Sequence, residues 1–143
     1  MLRKLIGISF ASMLMVAPVA ADTLDDVIDA GTLKCGVVLD FPPIGYFDAN
    51  NEPAGFDVEY CNDLAAALEV DVEILSLTWS ERLPVIVTGR ADVVFGATSD
   101  SLSRARTVGF SIPYAIYYAQ GVVSSDSGIK TFEDIRGKRV AAA

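Results

Sequence analysis

"ADVVFGATSDSLSRARTVGF", residues 91–110, decides how the chain is to be read. It opens with an apolar, β-branched run, Ala91 to Phe95, which predicts a strand. Small and hydroxyl-bearing residues follow, Gly96-Ala97-Thr98-Ser99-Asp100-Ser101. Arg104 and Arg106 come next, and Phe110 starts another apolar segment. A strand that runs into a loop of backbone amides and hydroxyls, backed by arginine, is the pattern expected where an α/β sheet receives an anion. Arginine holds a carboxylate through two parallel hydrogen bonds, which are stronger than neutral ones. On composition alone the two arginines also read as a solvated pair, and a hydroxyl-rich loop as a plain connection.

The residues upstream supply the rest of such a sheet. "LKCGVVL" (33–39) and "DVEIL" (71–75) are apolar and β-branched and predict two further strands. Between them a helix is expected from near Asp57, because Cys61, Leu64, Ala65 and Leu68 recur at i, i+3, i+4 and i+7. Ser80 is placed to cap a second helix that runs to Thr88 and stops at Gly89, with Pro84 in its first turn. Thr23 opens a short helix that ends at Gly31. The order β-α-β-α-β with short links predicts a parallel sheet with helices on its faces. Its ligand-facing loops are then Asp40–Ile44, Leu77–Ser80 and Gly96–Ser101. "DFPPIGYFDANNEPAG" (40–55), with three prolines, reads as a loop whose tip turns at Ala49-Asn50-Asn51. Phe41 lies in the first strand-end loop and Trp79 in the second. If the loops converge, both rings flank one spot and form the aromatic walls of a small-molecule site. Either ring alone is equally at home in a core.

Composition limits the chemistry. The sequence has 143 residues, 11 basic against 19 acidic, and a net charge of −8. Nothing in it supplies the basic field that nucleic acid or an anionic membrane requires. It has no histidine, which excludes serine-histidine and cysteine-histidine catalysis and any histidine-based metal site. No cofactor and no metal are expected. Residues 1–21 read as a cleavable secretory leader: Arg3 and Lys4, an apolar stretch from Leu5 to Val16, and Val19-Ala20-Ala21 at the cut. The apolar stretch is short for a membrane span. No cysteine lies near the cut, so a lipid anchor is not expected, and the location read from this is the periplasm. Export permits a disulfide between Cys35 and Cys61. The helical stripe turns Cys61 toward the sheet that carries Cys35, although two buried free thiols also satisfy the pattern.

Downstream, "IYYAQGVVSS" (116–125) is another extended aromatic and apolar run, Thr131 and Asp134 resemble a helix start, and "KRVAAA" reads as a strand beginning. The expected organisation is a leader at 1–21, a first α/β lobe at 22–115, and a hinge strand with the start of a second lobe at 116–143. A strand cut at its start implies a fragment.

As a set, "GFDVEYCNDLAAAL", "W" followed by "LPVIVTGRADVVFGATSDS", an "R" six residues before "FSIPY", and "TFEDIRGKRVA" resemble the bacterial periplasmic amino-acid-binding proteins, solute-binding protein family 3. The resemblance covers roughly residues 24 to 143. It implies a type II periplasmic-binding-protein fold, in which two lobes close like a flytrap. It also implies the role of substrate-binding subunit of an ABC importer for an L-amino acid: a monomer that performs no catalysis and hands its ligand to an inner-membrane permease. Carried over by residue, Arg104 matches the arginine that clamps the ligand α-carboxylate, and Ser99 a hydroxyl on the same group. Ala97 matches a backbone-amide donor, Gly96 a carbonyl, and Phe41 and Trp79 side-chain pocket aromatics. Cys35 and Cys61 match a cysteine pair of one branch. Arg106 matches no ligand position. Two positions depart from the pattern: Ser103 stands where the family usually has Glu, and Val38 where some members place an acidic contact. The resemblance also implies that the partner groups for the α-amino end lie past Ala143. Two other uses of the scaffold are a cyclohexadienyl or arogenate-type dehydratase and the sensing domain of a receptor.

Overall fold

A computed structural model describes residues 23–118 and 120–141. The expected leader lies outside the described residues. The chain divides into two compact units, one up to Val108 and one from Gly109 onward.

In the first unit, α1 spans Thr23–Ala30, β1 Thr32–Val38, α2 Phe56–Leu68, β5 Asp71–Leu77, α3 Arg82–Val87, β6 Val93–Phe95 and α4 Leu102–Ala105. Three short strands lie between β1 and α2: β2 at Asp40–Phe41, β3 at Gly45–Phe47 and β4 at Pro53–Ala54. The main sheet has the order β5-β1-β6, and both pairings are parallel. β1 is central. It pairs Cys35 with Ile74 on one side and with Val93 on the other. Because helices cover both of its faces, Cys35, Gly36, Val37 and Val38 are all buried, the continuous apolar run expected of a parallel strand. α2 covers one face through Val58 and Cys61 against Cys35, Val37 and Leu39. α3 covers the other through Val85 against Val38 and Leu77.

Three boundaries differ from the sequence reading, each for a local reason. β5 runs on to Leu77, whose side chain packs in the α3 layer. β6 starts only at Val93, because Asp92 is occupied in a lateral tie: its carboxylate accepts the Lys34 amide at 2.8 Å and its own N–H donates to the Lys34 carbonyl at 2.9 Å. α3 is capped by Glu81 rather than Ser80. The Glu81 carboxylate accepts the Thr78 N–H at 2.9 Å and the Thr78 hydroxyl at 2.7 Å, and these two bonds hold its pKa below the ordinary value.

The stretch 40–55, expected as a loop, holds an antiparallel sheet in the order β2-β3-β4. Its strands are two or three residues long, too short to show a period of two. The turn does fall at residues 48–51. The Asp48 carboxylate accepts the Asn50 and Glu52 amides at 2.8 and 2.9 Å, and Asn51 takes φ 63°. The Pro42-Pro43 peptide bond is cis.

Gly55 joins this small sheet to α2 at φ 114° and ψ 174°, a conformation open in practice to glycine alone. A Cβ there would stand 2.6 Å from the Ile44 carbonyl oxygen and 2.8 Å from that of Pro43. Both oxygens accept hydrogen bonds from the start of α2, from Asp57 and Phe56 respectively, so neither can retreat freely. Gly55→Ala is therefore expected to lower stability by about 2 kcal/mol, read as an earlier midpoint in urea unfolding. An unchanged midpoint would contradict this packing.

Cys35 and Cys61 are joined in a disulfide, with Cα atoms 6.0 Å apart and both residues fully buried. The expectation from the helical stripe is met. In the second unit, residues 116–118 and 120–124 form no regular secondary structure, Ser125 lies in a turn, and among the described residues of this unit there is no strand. A ladder needs a partner strand for its amides and carbonyls, and the described part of this unit offers none. The expected helix start appears as a single 3-10 turn, Glu133–Ile135, within which the Asp134 carboxylate accepts the Lys130 and Thr131 amides at 2.9 Å.

Candidate functional site

Parallel pairing puts the carboxyl ends of β1, β5 and β6 on one side of the sheet. Phe41, Trp79 and the Gly96–Ser101 loop extend from those three ends. The Phe41 and Trp79 rings meet edge to face with centroids 5.4 Å apart and an interplanar angle of 71°. Both remain partly exposed, so they form a wall rather than part of the core. Glu81 holds the 78–81 turn that presents Trp79 through its two bonds to Thr78.

Beside this wall is a cleft of about 110 Å³ lined by Trp79, Ser80, Arg82, Leu83, Pro84, Thr98 and Arg104. Arg104 sits on α4, whose cap is the Ser101 hydroxyl. Its Nη1 donates to the Ser99 carbonyl at 2.8 Å and to the Ser99 hydroxyl at 3.0 Å. Its Nε and Nη2 edge makes no hydrogen bond among the described residues. That edge is the planar fork that fits a carboxylate. Arg106, expected at the surface, is exposed. Ala97 adopts φ 48°, left-handed for a residue with a Cβ.

All six residues singled out in the sequence lie in one connected group. Phe41 touches Trp79, Ser99 orients Arg104, and Gly96 and Ala97 join the group through Arg82, which sequence reasoning passed over. The Arg82 Nε donates to the Trp79 carbonyl at 2.9 Å, and its Nη1 donates to the carbonyls of Gly96 at 2.7 Å and Ala97 at 3.2 Å. Its guanidinium carbon lies 4.9 Å from the centre of the Trp79 ring. Burial first, and then the Arg104 charge, push the Arg82 pKa below its ordinary value. Of the two guanidinium groups, Arg104 keeps its Nε and Nη2 edge open, whereas Arg82 is engaged by three carbonyls and the Trp79 ring. One sequence signal pointed to Arg82, its position one turn after Trp79. Its partners are carbonyls 14 and 15 residues further on.

An α/β lobe with an aromatic wall and convergent polar groups beyond its strand ends belongs to the class built to receive small molecules there. Within that class the family is specific. Residues 33–135 match the model of the bacterial extracellular solute-binding proteins, family 3, and the chain belongs to that family. It is 32% identical over 119 residues to the L-cystine-binding protein TcyJ of Escherichia coli (strain K12), a match that covers 82% of this chain and 45% of that protein. The chain thus spans less than half the length of that curated relative. Among solved structures it is similar to the arginine-bound form of domain 1 from TmArgBP, at a TM-score of 0.61 and 32% identity over 63% of this chain and 71% of that one. It is also similar to the ancestral amino acid-binding protein AncCDT-1, a precursor of cyclohexadienyl dehydratase, at 0.63 and 36% over 66% and 42%.

Proposed function

We propose that this chain carries the carboxylate-gripping lobe of an extracytoplasmic substrate-binding subunit that serves an ABC importer for an L-amino acid. Residues 22–115 form the first lobe, and residues 116–143 form the hinge and the opening of the second. The protein is a periplasmic monomer, exported by its leader, and it passes the ligand to an inner-membrane permease without chemical change. The observation that carries this reading is the Arg104 guanidinium, fixed by Ser99 through one nitrogen and facing a cleft with its other edge unspent. Phe41 and Trp79 supply the wall for the ligand side chain, and the Gly96-Ala97 backbone supplies the polar floor. The names of the relatives support an amino acid as the ligand class. The arginine-bound form of an isolated domain 1 from TmArgBP supports capture by a single lobe.

The test is a thermal-unfolding screen with each common L-amino acid at millimolar concentration. A ligand that binds only the folded state raises the midpoint by mass action, by about 2.7 kcal/mol of stability at a hundred times its dissociation constant. One or a few amino acids are expected to raise it selectively. A cooperative transition that no amino acid shifts would remove the proposed site from this lobe.

The likeness to a dehydratase precursor supports a second reading, an enzyme of the cyclohexadienyl dehydratase type on the same scaffold. Consumption of a cyclohexadienyl acid by the protein would decide for it and against simple transport.

A further inference from the structure

Beside the cleft, the carbonyls of Gly96 and Ala97 both accept from one side chain, Arg82. We propose that Arg82 is the positioning residue of this site: it sets the geometry of the carboxylate-receiving loop and ties that loop to Trp79, without itself holding the ligand. The proposal rests on the reading of Arg104 and its loop as the carboxylate grip.

The peptide plane supplies the first reason. In a trans peptide the carbonyl of one residue and the N–H of the next point in opposite directions. The Gly96 carbonyl aims at Arg82 Nη1 at 2.7 Å, which turns the Ala97 N–H away from that guanidinium. The Ala97 carbonyl aims at the same nitrogen at 3.2 Å, which turns the Thr98 N–H away likewise. Neither N–H donates to a backbone carbonyl among the described residues. One nitrogen of Arg82 thereby orients two adjacent amide donors, the groups that an oxyanion takes from a loop.

The backbone adds a second reason. Ala97 at φ 48° is in the left-handed region, which disfavours a residue with a Cβ. Its carbonyl bond to Arg82 is part of what holds it there. The third reason is the fit of the neighbours. Gly96 is buried, and a Cβ at this position would stand 3.2 Å from Arg82 Cδ and 3.3 Å from Val38 Cγ2. A side chain there would press on the arginine stem that serves the two carbonyls. On its far side Arg82 is spent on Trp79, by Nε to the carbonyl and by the guanidinium over the ring. The Trp79 wall and the amide floor are therefore one rigid assembly, and lysine cannot replace the link. An ammonium is a point donor that can neither span three carbonyls of two loops nor stack flat on the indole.

The test uses the full chain as wild type and as Arg82→Lys, Arg82→Gln and Gly96→Ala. L-arginine and L-cystine serve as calorimetric probes. Backbone order parameters of Ala97 and Thr98, and the emission of Trp79, the single tryptophan of the sequence, are read without any ligand. Arg82→Lys and Arg82→Gln are expected to weaken probe binding equally, by about tenfold. Ala97 and Thr98 should fall from rigid values near 0.85 toward 0.6, and the Trp79 emission should shift. Gly96→Ala keeps both guanidinium groups and is expected to reproduce the affinity loss. Combined with Arg82→Lys, it should add little further loss, because both act on one contact. A Lys variant with wild-type affinity beside a weakened Gln variant would show a direct charge contact and overturn the proposal, as would rigid Ala97 and Thr98 in the Lys variant. If neither probe binds the wild type, the ligand reading of the site fails for them. The order parameters and Trp79 emission then decide the positioning role by themselves.

Discussion

Arg104→Ala is expected to lower the affinity for the amino acid that stabilises the wild-type chain by about 100-fold or more, with little change in the unfolding midpoint of the free protein. Arg104 is half-buried on a four-residue helix and makes no ion pair among the described residues. Its Nη1 bonds reach only Ser99, which is itself exposed. The ligand carboxylate, in contrast, would lose a paired, charge-assisted bidentate contact. Removing one partner of such a pair costs about 3 kcal/mol or more, and each 1.4 kcal/mol is tenfold in affinity. Arg104→Lys should fall between the two, because the charge remains and the fork does not. Ser99→Ala should have a smaller effect, since the Ser99 carbonyl still holds Nη1 at 2.8 Å. Titration calorimetry on the four proteins checks the order. Wild-type affinity in Arg104→Ala would place the carboxylate grip elsewhere.

Loss of the Cys35–Cys61 bond, by Cys35→Ala with Cys61→Ala, is expected to lower stability by about 3.5 kcal/mol. The bond closes a loop of sequence separation 26, and the chain-entropy relation gives that figure for such a loop. For a domain of this size it corresponds to a fall of about 15–25 °C in the thermal midpoint. The link joins the central strand to the helix that covers it, and both residues are fully buried. Reductant should consequently act only through opening of the fold, so the native chain should keep its disulfide for long periods in dilute reductant and lose it quickly in urea. Calorimetric scans of wild type and double variant check the first expectation. Thiol labelling over time checks the second. A double variant that melts within a few degrees of wild type would mean that the loop is already constrained in the unfolded chain.

Much of this fold was legible because its elements carry their own periods. Cys61, Leu64, Ala65 and Leu68 mark the buried face of α2, and Cys61 and Ala65 are indeed fully enclosed. β1 reads as an apolar run from Cys35 to Val38 because that part of it is buried on both faces. The sheet at 40–54 was not legible. Its strands are too short to alternate, and only its turn at Asp48–Asn51 carries recognisable chemistry. The site was half legible. Arginine behind a loop of amides and hydroxyls announces anion chemistry through residue type alone, whereas Arg82 looks like any polar residue early in a helix. Its part depends on where carbonyls 14 and 15 residues away come to lie.

By itself, then, the sequence determined the β-α-β-α-β order, the parallel sheet, the helix face that turns Cys61 toward the strand of Cys35, and the kind of chemistry that the 96–104 stretch can do. These follow from local period, short connections and donor type, all of which are written in neighbouring residues. Only the tertiary structure decided that Phe41 and Trp79 stand 5.4 Å apart, that the floor and the wall of the cleft are joined, and that Arg82 joins them. Those are contacts between the ends of different strands. Their geometry is set by how the strands pair in parallel and how α3 packs against them, and no short stretch of sequence contains it.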